Sequence, residues 1–290
     1  MIDAALLSRL EKLNILARSA VAGSGFGRRL ARRAGSSQEF HDYRHYASGD
    51  ELRYLDWNVY ARHESLFVKE FAAEENVHVA VALDSSASMG VGTPPKMEAA
   101  KQLGLALAYV GLCNFDSAGL FTVGKRLEAA RPMTMGKGRI HEFLPDVERI
   151  RAHGETDLAA AFDSPLPKLR GRTVVLLVSD FLDVDGTPRA VKSLLSRRIQ
   201  VHMIQILAPE DVEPSATGRL RLRDAETGRE REIFVSRAAL RGYRDAAQRY
   251  LAQLRDFARE REIRFARVAS SDSLEDMIVS ISRAGILERS

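Results

Sequence analysis

Six short runs of apolar, often β-branched residues recur between residues 77 and 268, and longer helix-forming segments separate most of them. The strongest run is Thr173-Val-Val-Leu-Leu-Val178. Apolar runs of this length are typical of parallel strands that are buried on both faces. Strands that alternate with helices predict a mostly parallel sheet with helices on both faces, a Rossmann-like α/β fold. The predicted strands are 77–83, 117–123, 126–130, 173–178, 200–206 and 264–268.

The intervening segments predict the helices, and two regions depart from the alternation. Residues 208–235 contain two alternating runs on either side of Glu226-Thr-Gly228, which predicts an inserted or edge β-hairpin. Residues 1–75 are predicted to form a helical and mixed flanking segment, with an interrupted helix over 3–33, and residues 76–290 to form the α/β domain. The predicted helices are 96–113, 138–150, 157–169, 187–197, 237–261 and 273–284.

The composition is that of a folded globular protein, because hydrophobic residues make up 45% of the chain and charged residues 28%. The start of the sequence lacks the pattern of a signal peptide, and no run approaches the roughly 18–20 apolar residues that span a bilayer. We therefore expect a cytoplasmic protein with no integral membrane segment. A single cysteine excludes a disulfide framework and a multi-cysteine zinc site.

Polar side chains follow two of the predicted strands and begin one of the predicted helices. Asp84-x-Ser86-x-Ser88 comes directly after the first strand, and Asp180 follows the strongest strand. Thr156 lies between them, at the start of the helix predicted over 157–169. In an open parallel sheet, ligand sites gather just outside the carboxyl ends of the strands. We therefore expect these five side chains to meet at that edge.

The five candidates offer only oxygen atoms, two carboxylates and three hydroxyls, and such a set suits a hard divalent cation. A sparse, partly hydroxylic site fits Mg²⁺, which keeps several waters, with Mn²⁺ and Ca²⁺ as alternatives. Each piece also has a plainer interpretation. Asp84, Ser86, Ser88 and Thr156 are residue types that cap the amino ends of helices, and each taken alone favours capping. Their joint occurrence at strand ends and a helix start favours the cation.

This constellation resembles the metal-ion-dependent adhesion site (MIDAS) of von Willebrand factor type A domains. The resemblance implies a von Willebrand factor type A-like fold in which Ser86, Ser88 and Thr156 bind the cation directly. It also implies that Asp84 and Asp180 act mainly through water. One departure is Asp183, which could compete with Asp180 for that outer role.

The segment before the α/β domain extends the resemblance. Residues 39–75, including Gly49-Asp50-x-x-Arg53-x-x-Asp56-Trp57, are similar to the lead-in of the bacterial "domain of unknown function fifty-eight" family. The similarity covers roughly residues 24–285 and includes Asp224-Ala-Glu-Thr-Gly228. It implies a partner of MoxR-type AAA+ ATPases in chaperone-like assembly or maturation of an unidentified client protein, and not an enzyme.

The resulting hypothesis is a metal-dependent protein-binding module that takes an acidic side chain of its partner. One alternative is a Mg²⁺-dependent hydrolase, a phosphoesterase or nuclease, because Mg²⁺ beside carboxylates can activate water. A second is a nucleic-acid binder using the basic arm, since residues 1–36 carry seven Lys and Arg against two Asp and Glu. A short arginine cluster is more often a solvated helix face, so we expect no specific nucleic-acid partner.

Overall fold

The computed structural model describes residues 4–16, 40–47, 50, 52, 55–63, 65–71, 77–114, 117–163 and 173–289. The chain forms two compact units. The larger comprises Met1–Ser24 together with Asn76–Ser290, and the smaller comprises Gly25–Glu75.

The larger unit contains the predicted alternation of strands and helices. Two short 3-10 helices, Ala87–Gly90 and Lys137–Glu142, lie within it. Elements of the whole described chain, in order, are α1 (Ala4–Leu10), β1 (Leu13–Ile15), β2 (Phe40–His45), α2 (Trp57–His63), β3 (Phe67–Phe71), β4 (His78–Asp84), α3 (Lys96–Cys113), β5 (Ser117–Val123), β6 (Leu127–Met135), α4 (Phe143–Arg149), α5 (Leu158–Asp163), β7 (Thr173–Ser179), α6 (Gly186–Ser196), β8 (Gln200–Leu207), α7 (Pro209–Val212), β9 (Gly218–Arg223), β10 (Glu230–Val235), α8 (Arg237–Glu260), β11 (Arg264–Ala269), α9 (Leu274–Arg283) and β12 (Leu287–Arg289).

The central sheet of the described chain has six strands in the order β11-β8-β7-β4-β5-β6. All neighbouring pairs are parallel except β5 and β6, which are antiparallel. The chain leaves β4 for β5 on one side and later reaches β7 on the other. This reversal makes the carboxyl ends of β4 and β7 a topological switch point, where open sheets of this kind bind ligands. The α/β prediction is confirmed.

The inner strands β4, β5, β7 and β8 are buried on both faces, and strand β7 shows why. Val174, Leu176 and Val178 belong to one core cluster, which includes side chains of α3, α4 and α9. Val175 and Leu177 belong to the other, which includes side chains of α5, α6 and α8. Because successive side chains of a strand point to opposite faces, only a continuous apolar run can fill both cores.

The start of the chain differs from the prediction of an interrupted helix over 3–33. That prediction is wrong at residues 13–15, which form β1 and pair antiparallel with β12. Leu10 and Ile15 are fully buried in the core cluster that contains α3. Burial of these side chains outweighs helix propensity, and residues 4–16 join the larger unit instead of the predicted flanking segment over 1–75. Residues 17–39, which carry most of the arginines of the basic arm, lie outside the described residues.

The predicted hairpin is present, but it is not an edge of the central sheet. Strands β9 and β10 pair only with each other and form a separate two-stranded sheet in the described chain. Its outer surface is charged: Arg221 lies within 3.7 Å of Glu230 and 3.3 Å of Glu232. The hairpin is therefore an insertion between β8 and α8.

The smaller unit contains an antiparallel pair, β2 and β3, and the helix α2. Asp56 begins that helix: its carboxylate accepts hydrogen bonds from the backbone N–H groups of Asn58 and Val59, at 2.9 and 3.2 Å. The hydroxyl of Tyr43 donates to the same carboxylate at 2.8 Å. Arg44 forms a two-pronged ion pair with Asp50.

A search for membrane-spanning helices among the described residues finds none with the length and apolar character that a bilayer crossing requires.

We predict that Leu10→Ala lowers the free energy of unfolding of the larger unit by roughly 2–5 kcal/mol, because the truncation leaves a cavity in a packed core. The measurement is urea unfolding followed by circular dichroism. Leu144→Ala is the matched control, since Leu144 is 42% exposed and its truncation leaves no cavity. Equal losses in the two variants would show that the amino end is not part of the core.

Candidate functional site

The site begins where the two central strands end. In the register of β4 and β7, Leu83 lies opposite Val178, so Asp84 and Ser179 come next to each other at the carboxyl edge. Both side chains are buried, with Asp84 3% exposed. The strand pairing therefore fixes a carboxylate inside the protein.

Three groups donate hydrogen bonds to the Asp84 carboxylate. The backbone N–H of Ser86 and the hydroxyl of Thr156 donate to Oδ1 at 2.9 and 3.1 Å, and the hydroxyl of Ser179 donates to Oδ2 at 2.6 Å. Burial nevertheless raises the pKa of Asp84, and the nearby charge of Asp180 raises this pKa further. The hydrogen bonds from Ser179 and Ser86 oppose that rise without cancelling it.

Hydroxyl contacts connect the remaining predicted residues. Ser86 Oγ and Ser88 Oγ lie 2.9 Å apart, and Ser88 Oγ donates to Asp180 Oδ2 at 2.8 Å. The structure therefore brings all five predicted residues into one hydrogen-bonded group. Ser86 also precedes the 3-10 helix Ala87–Gly90, but its side chain makes no capping hydrogen bond.

Thr156 and its neighbour Asp157 have different roles. Asp157 caps α5, because its Oδ1 accepts from the backbone N–H of Ala160 at 2.9 Å. The hydroxyl of Thr156 points instead to Asp84. Helix capping thus explains Asp157 but leaves the Thr156 side chain in the polar group.

The loop after β7 holds Asp180 from several directions. Gln205 donates to the Asp180 backbone carbonyl at 2.9 Å, and the hydroxyl of Tyr250 donates to the carbonyl of Phe181. Phe181 is fully buried and has a φ of 53°. A non-glycine residue in this left-handed region costs of order 1–3 kcal/mol and persists only where its surroundings impose it. The conformation at Phe181 turns the chain directly after Asp180.

Asp183, the alternative outer-shell carboxylate, lies in the turn that precedes helix α6. Its Oδ1 accepts from the backbone N–H of Gly186 at 2.8 Å, and its backbone carbonyl accepts from Thr187 at 3.1 Å. Asp180 and not Asp183 contacts the serine pair. The geometry therefore favours Asp180 as the residue that acts in the site.

Lys96, which the sequence reasoning did not identify, is a fixed positive charge at the site. This first residue of α3 is 1% exposed, and its Nζ lies 2.8 Å from Asp180 Oδ2 and 3.0 Å from Asp211 Oδ2. Burial alone would lower the pKa of Lys96, but Asp180 and Asp211 outweigh burial and raise it. Lys96 is therefore charged and neutralises part of the acidic group. A lysine in the first turn of a predicted helix gives no sequence signal of such a role.

Glu226 is the second residue that the sequence reasoning missed as a site residue. It lies at the tip of the β9–β10 hairpin and lines the same cleft, whose volume is about 520 Å³. Among the described residues, no three His, Cys, Asp or Glu side chains converge as a ready metal site. A cation in this cleft would therefore depend on the hydroxyl oxygens. The residues lining the cleft are Asp84, Ser86, Ser88, Thr156, Asp157, Leu158, Ser179, Asp180, Leu182, Asp183, Arg189, Asp224, Ala225, Glu226 and Thr227.

Comparison with known proteins gives a family match and several similar chains. Residues 42–253 match the family described as "Protein of unknown function DUF58". Uncharacterized proteins of Mycobacterium tuberculosis and Mycobacterium bovis are each 26% identical over 257 residues, which is 87% of this chain and 81% of each relative.

Two solved structures are similar at lower identity. The conserved hypothetical protein BatB from Bacteroides thetaiotaomicron is 18% identical, with 72% of this chain and 99% of that chain covered and a TM-score of 0.43. The von Willebrand factor type A from Catenulispora acidiphila is 17% identical, with 76% of this chain and 45% of that chain covered and a TM-score of 0.40.

We predict that Lys96→Met, measured in the presence of a chelator, lowers the free energy of unfolding by roughly 3–5 kcal/mol. Removing one partner of a buried ion pair leaves the other buried without its counter-charge. Lys125→Met is the control, because Lys125 pairs with Glu155 at 2.8 Å on the surface. That substitution should leave stability unchanged, since exposed ion pairs contribute little. Equal unfolding midpoints for Lys96→Met and the wild type would contradict a charged, buried Lys96.

Proposed function

The chain belongs to the family described as protein of unknown function DUF58, and we propose that it is a metal-dependent protein-binding module. The proposed ligand of the site is an acidic side chain of a partner protein, held through a divalent cation. The observation that carries this proposal is the buried carboxylate of Asp84.

Asp84 has no countercharge of its own among the described residues. Its hydrogen-bond donors are hydroxyls and a backbone N–H, and no Lys or Arg in the described chain forms an ion pair with it. Burying a carboxylate without a countercharge is costly, and coordination of a metal ion is one way to offset that cost. The ammonium of Lys96 is shared between Asp180 and Asp211, so it does not balance both of these carboxylates and Asp84. A divalent cation in the cleft would supply positive charge beside Asp84 and Asp180.

The donor set fits Mg²⁺, with Mn²⁺ and Ca²⁺ as alternatives. Ser86, Ser88 and Thr156 would hold the cation through their hydroxyls, and Asp84 and Asp180 would act mainly through water. When bound, the cation supplies an electrophilic position for an anionic ligand. Neutral hydroxyls leave its charge largely uncompensated, so an incoming carboxylate gains more than it would at a carboxylate-rich site.

The chain's own residues would orient that ligand and keep the site intact. The hydrogen bond from the Ser179 hydroxyl holds the Asp84 carboxylate in the cleft, and the turn at Phe181 holds Asp180 in position. Lys96 holds the Asp180 carboxylate in place from the buried side. These roles require no bond making or breaking, in keeping with a binding module and not an enzyme.

We extend the proposal to the partner that the family resemblance implies, a MoxR-type AAA+ ATPase. In that role the chain would link the ATPase to a client protein during assembly or maturation. An acidic side chain exposed on the ATPase or on the client would enter the cleft.

We predict that Mg²⁺ stabilises the wild-type protein and that Asp84→Asn or Ser86→Ala removes the effect. At a free Mg²⁺ concentration about 100 times the Kd, the stabilisation should be about 2.7 kcal/mol. Thermal unfolding with and without a chelator measures it. Ser85→Ala is the matched control, since the Ser85 hydroxyl donates to the Val123 carbonyl, away from the site. A wild-type protein indifferent to both Mg²⁺ and Mn²⁺ would refute the proposal.

We also predict that immobilised wild-type protein captures the MoxR-type ATPase of its own organism in Mg²⁺ and releases it on chelation. Asp84→Asn should not capture the ATPase, while Ser85→Ala should. Circular dichroism checks that each variant remains folded. Capture that is equal in Mg²⁺ and in chelator would show that the cation is not involved.

The same protein samples test the other two hypotheses. Sustained hydrolysis of p-nitrophenyl phosphate in Mg²⁺ that disappears in Asp84→Asn would identify a hydrolase in place of a binding module. A gel shift with DNA that weakens steeply with salt and survives chelation would identify a nucleic-acid binder.

A further inference from the structure

The tip of the β9–β10 hairpin brings a carboxylate into the cleft. Glu226 is half-buried there and lines the same cleft as Asp84 and Asp180. Thr156, which donates its hydroxyl to Asp84, lines the same cleft. Glu226 is therefore a carboxylate of the chain itself at the place where a partner's acidic side chain would enter.

The conformation of the tip is fixed by its own hydrogen bonds. Asp224 Oδ1 accepts from the backbone N–H groups of Glu226 and Thr227, each at 2.9 Å. The backbone N–H of Gly228 donates to the Asp224 carbonyl at 2.9 Å, and Gly228 has a φ of 69°, which favours glycine. Asp224 therefore shapes the turn, and Glu226 is left with its side chain in the cleft.

Glu226 places a carboxylate in a cleft that Asp84 and Asp180 already line. Its side chain is half-buried, whereas Asp224, which shapes the turn, is exposed. Like charges brought together in a cleft are stabilised when a cation lies between them.

We propose that Glu226 is an in-chain carboxylate ligand of the cation and occupies the coordination position that a partner's acidic side chain takes. This inference rests on the proposed function. Because no three carboxylates converge as a ready site among the described residues, Glu226 must move inward to reach the cation. The hairpin can move without breaking the central sheet, since β9 and β10 pair only with each other in the described chain.

Such a residue sets a threshold for partner binding. A tethered group competes at an effective concentration on the order of millimolar. A free carboxylate must therefore displace Glu226, and a partner that also draws the hairpin away from the cleft gains affinity. The hairpin thus makes the site selective for partners that bind the cation and also contact the hairpin.

Mn²⁺ tests this proposal because its free form is visible by electron paramagnetic resonance and its bound waters relax solvent protons. We expect Glu226→Gln to weaken Mn²⁺ binding by roughly 10-fold or more. We also expect it to raise the water-proton relaxation per bound Mn²⁺, because water replaces the carboxylate. Acetate, a minimal carboxylate probe, should then suppress that relaxation at lower concentration than in the wild type.

Two further variants separate the mechanisms. Glu230→Gln removes the same charge from the same hairpin at a residue that does not line the cleft, and it should behave as the wild type. Glu226→Asp keeps the charge but shortens the side chain, so it should resemble Glu226→Gln if direct contact matters.

The outcomes distinguish this inference from the proposed function. If Glu226→Gln matches Glu230→Gln in Mn²⁺ affinity and relaxation, the inference is overturned while the metal site stands. If Glu226→Asp keeps wild-type affinity and relaxation, Glu226 acts only through its charge, and direct ligation is overturned. If the wild-type protein binds no Mn²⁺, both the inference and the proposed function fail.

Discussion

The buried carboxylate of Asp84 is the interaction on which the rest of the site depends. It ends the central strand β4, and the ladder between β4 and β7 holds it beside Ser179. Every other element of the site is arranged around this charge. Thr156 reaches it from the start of α5, and Asp180 adds a second charge from the next strand. We propose a cation at this site because leaving these charges unbalanced inside a protein is costly.

The fold explains why three distant segments meet. The strand order reverses between β4 and β7, so the loops after these two strands diverge and leave a crevice between them. The start of α5 closes a third side. Helix α8 stabilises the segments that carry Phe181 and Asp211. The hydroxyl of Tyr250 donates a hydrogen bond to the carbonyl of Phe181, and the hydroxyl of Tyr243 donates one to the carbonyl of Asp211. The conformation of the site is thus fixed by the packing of the whole domain.

The central fold, and the meeting of the five candidate residues at one edge of the sheet, could be predicted because their signals are local. An apolar run such as 173–178 indicates a buried strand, and a polar residue just after it indicates the functional edge. The pairing of β1 with β12 could not be predicted, because it joins residues almost 280 positions apart through two three-residue strands. The prediction of helix over 138–150 also ignored how the chain tightens into the 3-10 helix Lys137–Glu142 before α4. Both features depend on tertiary packing.

Lys96 and Glu226 escaped sequence reasoning for a related reason. Charged residues at a helix start and a hairpin tip are usually solvated, and only the fold shows that these two face the same polar cleft. Lys96 adds a positive charge beside the carboxylates of the site, and Glu226 adds a further negative charge. Lys96 partly neutralises Asp180 from the buried side, which would weaken the hold of the protein on the proposed cation and leave more of the cation's charge for an added anion.

Glu226 and a partner's carboxylate are the two anionic groups that would bind to the remaining positive charge of the proposed cation. If both use the same coordination position, their binding is linked, and each lowers the apparent affinity of the other. The cation should bind most tightly when the hairpin is closed over it, because a tethered carboxylate carries little entropic cost. A partner that also contacts the displaced hairpin, which carries several arginines and glutamates, would compete better for this position.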